Sequence, residues 1–259
     1  MRPRLARLIF TVATIGILWG TLAAGQVSTA PDAPPRTRDG HPDLQGVWQA
    51  LNAAAWDLED HNASLGVPAG HGVVEGGIIP YRPEALAAKK DNFANRAARD
   101  PEMKCFLPGV PRITYMPHPF QIVQQADKVS FLYEYLHAVR YVYMNGNPHP
   151  KGPIEWWMGD SRGRWEGNTL VVDVTHFNDL TWLDRAGNFH STALHVVERY
   201  TPTGPDHMLY EATIEDDQVF TRPWKISMPL YRRQERSAEL LEYQCNAYLL
   251  EREWNNPAQ

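Results

Sequence analysis

The chain has 259 residues, 43% of them hydrophobic, and carries 25 Lys and Arg against 30 Asp and Glu for a net charge of −5. This length accommodates one large domain or two small ones, and the acidic balance argues against a nucleic-acid partner, whose phosphates need Lys and Arg. Past the first 25 residues no stretch is long and apolar enough to span a bilayer.

Arg2, Arg4 and Arg7 precede an apolar run from Leu8 to Ala24, and Ala23, Ala24 and Gly25 are small. A basic start, an apolar middle and a small-residue exit read as a secretory leader, cut after Ala24 or Gly25; an uncleaved anchor is the competing reading. Cleavage removes three basic residues and no acidic one, taking the net charge to −8. The mature chain is then soluble, periplasmic or secreted, with no membrane span. Residues 26–40 (QVSTAPDAPPRTRDG) have the composition of a flexible arm. Residues 41–259 read as one domain.

Asp43-Leu-Gln-Gly-Val-Trp48 opens that domain as a first strand, with Gly46 free to bend and Trp48 able to plug an end. Ala53–Pro80 carries five glycines and reads as a long loop or lid. The one clear helix covers about 83–98: Pro83 suits its first turn, Glu84 complements its dipole, and Leu86, Phe93 and Ala97 form an apolar stripe.

From Phe120 onward the pattern is β. Strands are expected at Phe120–Gln124, Val129–Leu136, Arg140–Met144, Glu155–Asp160, Thr169–His176, Ala193–Tyr200, Met208–Glu215, Trp224–Tyr231 and Leu240–Ala247. Turn chemistry punctuates them at Ala126-Asp127-Lys128, Asn145-Gly146, Glu166-Gly167-Asn168 and Pro202–Asp206. About ten strands at this spacing predict an all-β fold, a single-domain antiparallel β-barrel or strongly curled sheet. Cys105 and Cys245 form either one bridge or two buried thiols, and an oxidising export route favours the bridge.

The stretches PDLQGVW, LPGVPR, GRWEGNTLVVDVTHFND, HVVERY and FTRPW together resemble a family of exported, largely uncharacterised β-rich bacterial proteins. That resemblance implies secretion and a β-rich fold and no mechanism. A looser likeness, carried by Asp43, Gly46, Trp48 and the strand count, is to lipocalin-like barrels.

Short catalytic signatures are absent: no G-x-S-x-G, P-loop, G-x-G-x-x-G, H-E-x-x-H or C-x-x-C occurs. No His spacing suggests a metal site, and no cofactor is expected. What stands out is carboxylates inside apolar strands, among them Glu134, Asp173, Glu198, Glu211 and Glu242. In a dry interior an unpaired carboxylate costs several kcal/mol, so each must face water or find a partner such as Arg140 or Arg199. Strand parity assigns Glu198 and His176 to the inner face, and Asp173 and Arg199 to the outer one. His176, with His190 across the Asp184–Gly187 turn, is placed in a polar cluster at a barrel mouth.

Three functional readings follow. In the first, the barrel holds a small apolar or aromatic molecule, contacted by Tyr133, Glu134, Trp157 and His190 and oriented by polar groups including Glu134, His137, His176 and Glu198. In the second, the same cavity runs cofactor-independent lyase, isomerase or hydrolase chemistry. His176 or His137 is then acid or base, Glu198 the orienting carboxylate and Arg140 the stabiliser of negative charge. In the third, the protein is a structural or interaction component of the envelope.

Overall fold

The computed structural model describes residues 33–64 and 67–245. The leader, residues 26–32 of the arm and residues 246–247 of the last expected strand lie outside them. Nine strands close into a barrel in chain order: β1 Gly46–Ala50, β2 Phe120–Gln124, β3 Lys128–Tyr133, β4 Val139–Tyr143, β5 Asp160–Glu166, β6 Thr169–Thr175, β7 His195–Pro202, β8 His207–Glu215 and β9 Trp224–Arg232. The expected all-β barrel is therefore what forms, and β1 pairs with both β2 and β9 to close it.

Hairpins arise where the turn residues permit them. Gly167 takes φ +59° in the two-residue loop between β5 and β6, a left-handed conformation that costs glycine nothing. Between β3 and β4, Leu136 and His137 both adopt positive φ (+55° and +50°), a double left-handed turn that matches the twist of the flanking strands. Asn145-Gly146 behaves differently from expectation. It opens a 16-residue crossover instead of a hairpin, because β5 runs parallel to β4. That parallel pair is the exception to the antiparallel barrel expected. Glu155–Asp160 is likewise not a strand: apart from an isolated Trp156–Phe177 bridge, Gly159, at φ +66°, turns the chain and the ladder starts at Asp160.

The inward face is filled by side chains. Trp48, Phe120, Phe131, Tyr133, Tyr200 and Tyr210 are each at most 3% exposed and pack ring to ring, as in Phe131–Tyr200 (5.3 Å) and Tyr200–Tyr210 (5.0 Å). Trp48 donates its indole N–H to the Leu44 carbonyl (2.8 Å), and the Arg232 guanidinium stacks over its ring. Trp48 is thus buried and held on both its edge and its face.

Of the helical segments, only Arg112–Tyr115 enters this core with all of its residues buried. The expected helix breaks at Asn95 into α1 (Pro83–Ala94) and α2 (Arg96–Arg99), followed by a 3₁₀ turn at Pro101–Lys104 and a short α3 (Arg112–Tyr115). The apolar stripe read for α1 does not pack: Leu86 and Phe93 are exposed, only Ala85 is buried, and Phe93 lies under Arg96 instead. The described part of the glycine-rich segment is anchored on the barrel through a few buried residues, Leu58, Val74 and Ile79 among them. Backbone groups of residues 73–75 bond to Lys225 and Ser227, occupying the half of the β9 edge that the five-residue β1 leaves unpaired. The described part of the arm folds back in a turn, with Asp43 N–H bonded to the Pro35 carbonyl and Arg36 reaching Asn168.

Residues 240–245 do not form a strand. They cross the outside of the β3–β4 turn, where Leu241 N–H bonds Glu134 and Tyr243 stacks on Tyr135. The Cys105–Cys245 disulfide anchors them, with a Cα separation of 5.6 Å. Among the described residues, no helix is long and apolar enough to cross a membrane.

Candidate functional site

Strands β4 and β5 pair at only two positions, Val142 with Ser161 and Tyr143 with Arg162, whereas every other neighbouring pair shares at least three. Below those two positions the wall parts into a cleft of about 310 Å³. Val139, Tyr141 and Tyr143 project from β4 along one side, Trp156 and Trp157 come from the crossover, and Arg140 and Ser161 belong to the lining as well. Gly159 makes this geometry possible, since a Cβ there would fall within 3 Å of Val174 and Phe177. Trp156 is pinned through its N–H to the His176 carbonyl (2.8 Å), and Trp157 rests on Phe106 (4.9 Å). The rim is the most exposed aromatic surface of the barrel: Tyr141 is 48% exposed and Trp156 38%. Exposed apolar area of this kind, beside a concavity, marks a binding surface.

Behind the cleft the otherwise apolar barrel core holds a buried polar cluster. Glu198 is fully buried and bonds the Arg140 guanidinium, while the Tyr200 and Tyr210 hydroxyls donate to its other oxygen (2.9 and 2.8 Å). Arg140 also donates through Nε to Ser161 Oγ (2.9 Å). Burial opposes the Arg140 charge, but Glu198 and the surrounding tyrosines outweigh it and raise the pKa. Burial and the Glu198 carboxylate push both Tyr200 and Tyr210 well above their ordinary value, so these two stay neutral donors. Tyr133 is pushed up to about 12 by burial, with Glu198 adding to it and Arg140 opposing.

The residues singled out from sequence fall in four places. Glu198 and Arg140 form the central pair, with Tyr133 beside them on the inner face. Trp157 lies in the cleft. Glu134 is outside the barrel interior, bonded to Leu241 N–H and facing His118 at 3.5 Å. His190 is buried against Phe177 and bonded to Thr181 (2.6 Å), and burial lowers its pKa. His137 is exposed at its turn. His176 leaves the inner face because it adopts φ +63° immediately after β6, which ends the alternation that parity assumed. It lies beside Trp156 and His149, and its ring bonds Thr175. Thus the carboxylate and the arginine of the acid–base reading meet, and neither histidine joins them. His176 and His190 have no contact with each other among those described.

Sequence reasoning missed a second constellation, on the outer face. His149 bonds Asp160 through Nδ1 (2.6 Å) and Asp173 through Nε2 (2.9 Å), and His195 links Asp173 (3.2 Å) to Glu215 (3.3 Å). Outward parity for Asp173 holds, and the same parity puts His195 beside it. His149 comes from the crossover, where no periodicity could have flagged it. Hydrogen bonding to His195 holds Asp173 down at about 2, and the same bond raises His195. Among the described residues, no group of three or more His, Cys, Asp or Glu is arranged to hold a metal ion.

This pair gives a signed pH prediction. The raised His195 stabilises the fold fully below 6.5, and the contribution disappears as pH rises through its folded value. The depressed Asp173 contributes above 3.8, and that is lost as pH falls toward 2. Buried Asp184, pushed up to about 7 by burial and by Asp57, acts oppositely between 3.8 and 7. The pair is therefore isolated by difference. Urea unfolding of wild type minus Asp173→Asn should show a plateau between about pH 4 and 6.5 that falls away on both sides. A difference independent of pH would contradict the assignment.

No protein-family model, curated protein or solved structure matches this chain.

Proposed function

We propose that this is an exported, soluble protein that binds a small apolar or aromatic molecule, and that the molecule sits in the β4–β5 cleft. The observation that carries the reading is the cleft itself: four aromatic side chains line an opening of about 310 Å³ in a barrel wall whose interior is already filled. A volume of that order suits one or two rings, and tryptophan and tyrosine faces bind such rings with little loss of conformational entropy. Export is supported by the leader-like residues 1–25 and by the Cys105–Cys245 bridge, a bond that persists in oxidising compartments. The resemblance to exported bacterial proteins points the same way. Acid–base catalysis is less well supported, because Glu198 and Arg140 have no histidine partner in the core.

The test is a titration with single-ring and two-ring aromatic compounds followed by calorimetry. Trp157→Ala removes one wall and should weaken binding by about ten- to a hundred-fold, the range expected for losing a buried aromatic contact. An unchanged affinity in a folded Trp157→Ala protein would move the ligand elsewhere.

A further inference from the structure

Three buried donors in the barrel core have no hydrogen-bond acceptor among the described residues: Arg140 Nη1, the Tyr133 hydroxyl and Thr114 Oγ1. They belong to one neighbourhood. Arg140 and Thr114 both act on the Tyr133 hydroxyl, and Thr114 also acts on Tyr200, although none of these contacts closes to a hydrogen bond. Thr114 reaches the core on α3, all four of whose residues are buried. Each unpaired buried donor costs about 1–3 kcal/mol, which Phe and Val in place of Tyr133 and Thr114 would avoid. A carbonyl oxygen entering from outside can accept from two of them, which frees the Tyr133 hydroxyl oxygen to accept from Thr114.

The route is set by Arg140, which belongs to this cluster and to the cleft lining, as does its partner Ser161. Both sit at the seam where the β4–β5 ladder is shortest. The charge of the acceptor is set by Glu198, which already neutralises Arg140 in a fully buried pair. A carboxylate brought in beside them would be a second, unbalanced negative charge and would cost several kcal/mol. The outer His149–Asp173–His195 chain offers no comparable site, because both nitrogens of each ring are already committed to carboxylates.

Building on the cleft as the binding site, we propose that its ligand carries a neutral carbonyl oxygen, as in an aryl ketone, ester or quinone, and that this oxygen passes the β4–β5 seam to accept from Arg140 and Tyr133, whose own hydroxyl oxygen then accepts from Thr114. The ring stays between the cleft aromatics while the carbonyl points inward.

Three probes of similar shape test the idea by NMR titration of the purified protein: acetophenone, ethylbenzene and benzoate. Acetophenone should bind about ten-fold more tightly than either of the others, the value of one to two good buried hydrogen bonds. Thr114→Val and Tyr133→Phe should each shrink that preference several-fold while leaving ethylbenzene affinity unchanged. Both variants should melt no lower than wild type, since each removes a hydroxyl that has no partner to lose. Equal affinity for acetophenone and ethylbenzene, a preference for benzoate, or a ketone preference untouched by both substitutions would overturn the proposal and leave the cleft intact as a binding site. Failure of all three probes to bind would remove the cleft reading together with this one.

Discussion

Glu198→Ala is expected to lower the unfolding free energy by about 3–5 kcal/mol, a large part of the stability of a domain this size. The carboxylate is fully buried and accepts from Arg140, Tyr200 and Tyr210. Removing it strands a guanidinium that has no water to turn to and leaves two hydroxyls unpaired. The loss comes from what remains behind, not from the attraction that disappears. A companion variant makes this distinction. Replacing the pair together, Arg140→Met with Glu198→Leu, removes both charges and should recover most of the lost stability, because buried ion pairs contribute little net over apolar residues of similar volume. Urea unfolding of the single and double variants reads both effects. If Glu198→Ala unfolds within about 1 kcal/mol of wild type, water must reach Arg140 and the core is not dry.

Breaking the Cys105–Cys245 bridge is the second large effect. It closes a loop with a sequence separation of 140 residues, spanning β2 to β9. The chain-entropy relation gives about 5 kcal/mol for such a loop, an upper bound because the unfolded chain is not a random coil. The folded protein loses in addition the tether that holds residues 240–245 over the β3–β4 turn, where Tyr243 stacks on Tyr135 and Leu241 bonds Glu134. Cys105→Ser with Cys245→Ser, or reduction by dithiothreitol, should shift the urea midpoint downward by an amount matching several kcal/mol. Exposure of Glu134 and Tyr135 should follow, visible as faster amide exchange in the turn. Equal midpoints for oxidised and reduced protein would mean that the bridge constrains neither state.

Much of this was legible in the sequence, and the reasons for success and failure are physical. Strand periodicity placed Glu198 on the inner face because β7 runs unbroken from His195 to Pro202, with buried and half-buried residues alternating through Tyr200. The same reasoning misplaced His176, one residue past the end of β6, where a left-handed backbone redirects the side chain. The Gly167-Asn168 turn was readable because its strands pair with each other. Asn145-Gly146 carries as strong a local cue, but turn chemistry cannot reveal that the next strand will pair in parallel after a 16-residue crossover. The cleft was invisible for the same reason: it is produced by that crossover and by the two-position seam, both consequences of topology. The adjacent Trp156 and Trp157 would face opposite ways in an extended chain, one of them into the core; the segment is not extended, and both line the cleft. The α1 stripe failed because helix periodicity shows which residues share a face, not whether anything packs on that face.

The proposed position of the ligand, in the β4–β5 cleft and not inside the barrel, is the point on which function turns. Indole N–H resonances of the eight tryptophans that remain once the leader, with Trp19, is removed locate the ligand directly in a two-dimensional NMR titration with an aromatic probe. The cleft position predicts that Trp156 and Trp157 shift with the added compound while Trp48 and Trp224, buried in the barrel core, stay in place. Shifts at Trp48 and Trp224, with Trp156 and Trp157 unmoved, would put the molecule inside the barrel and contradict it.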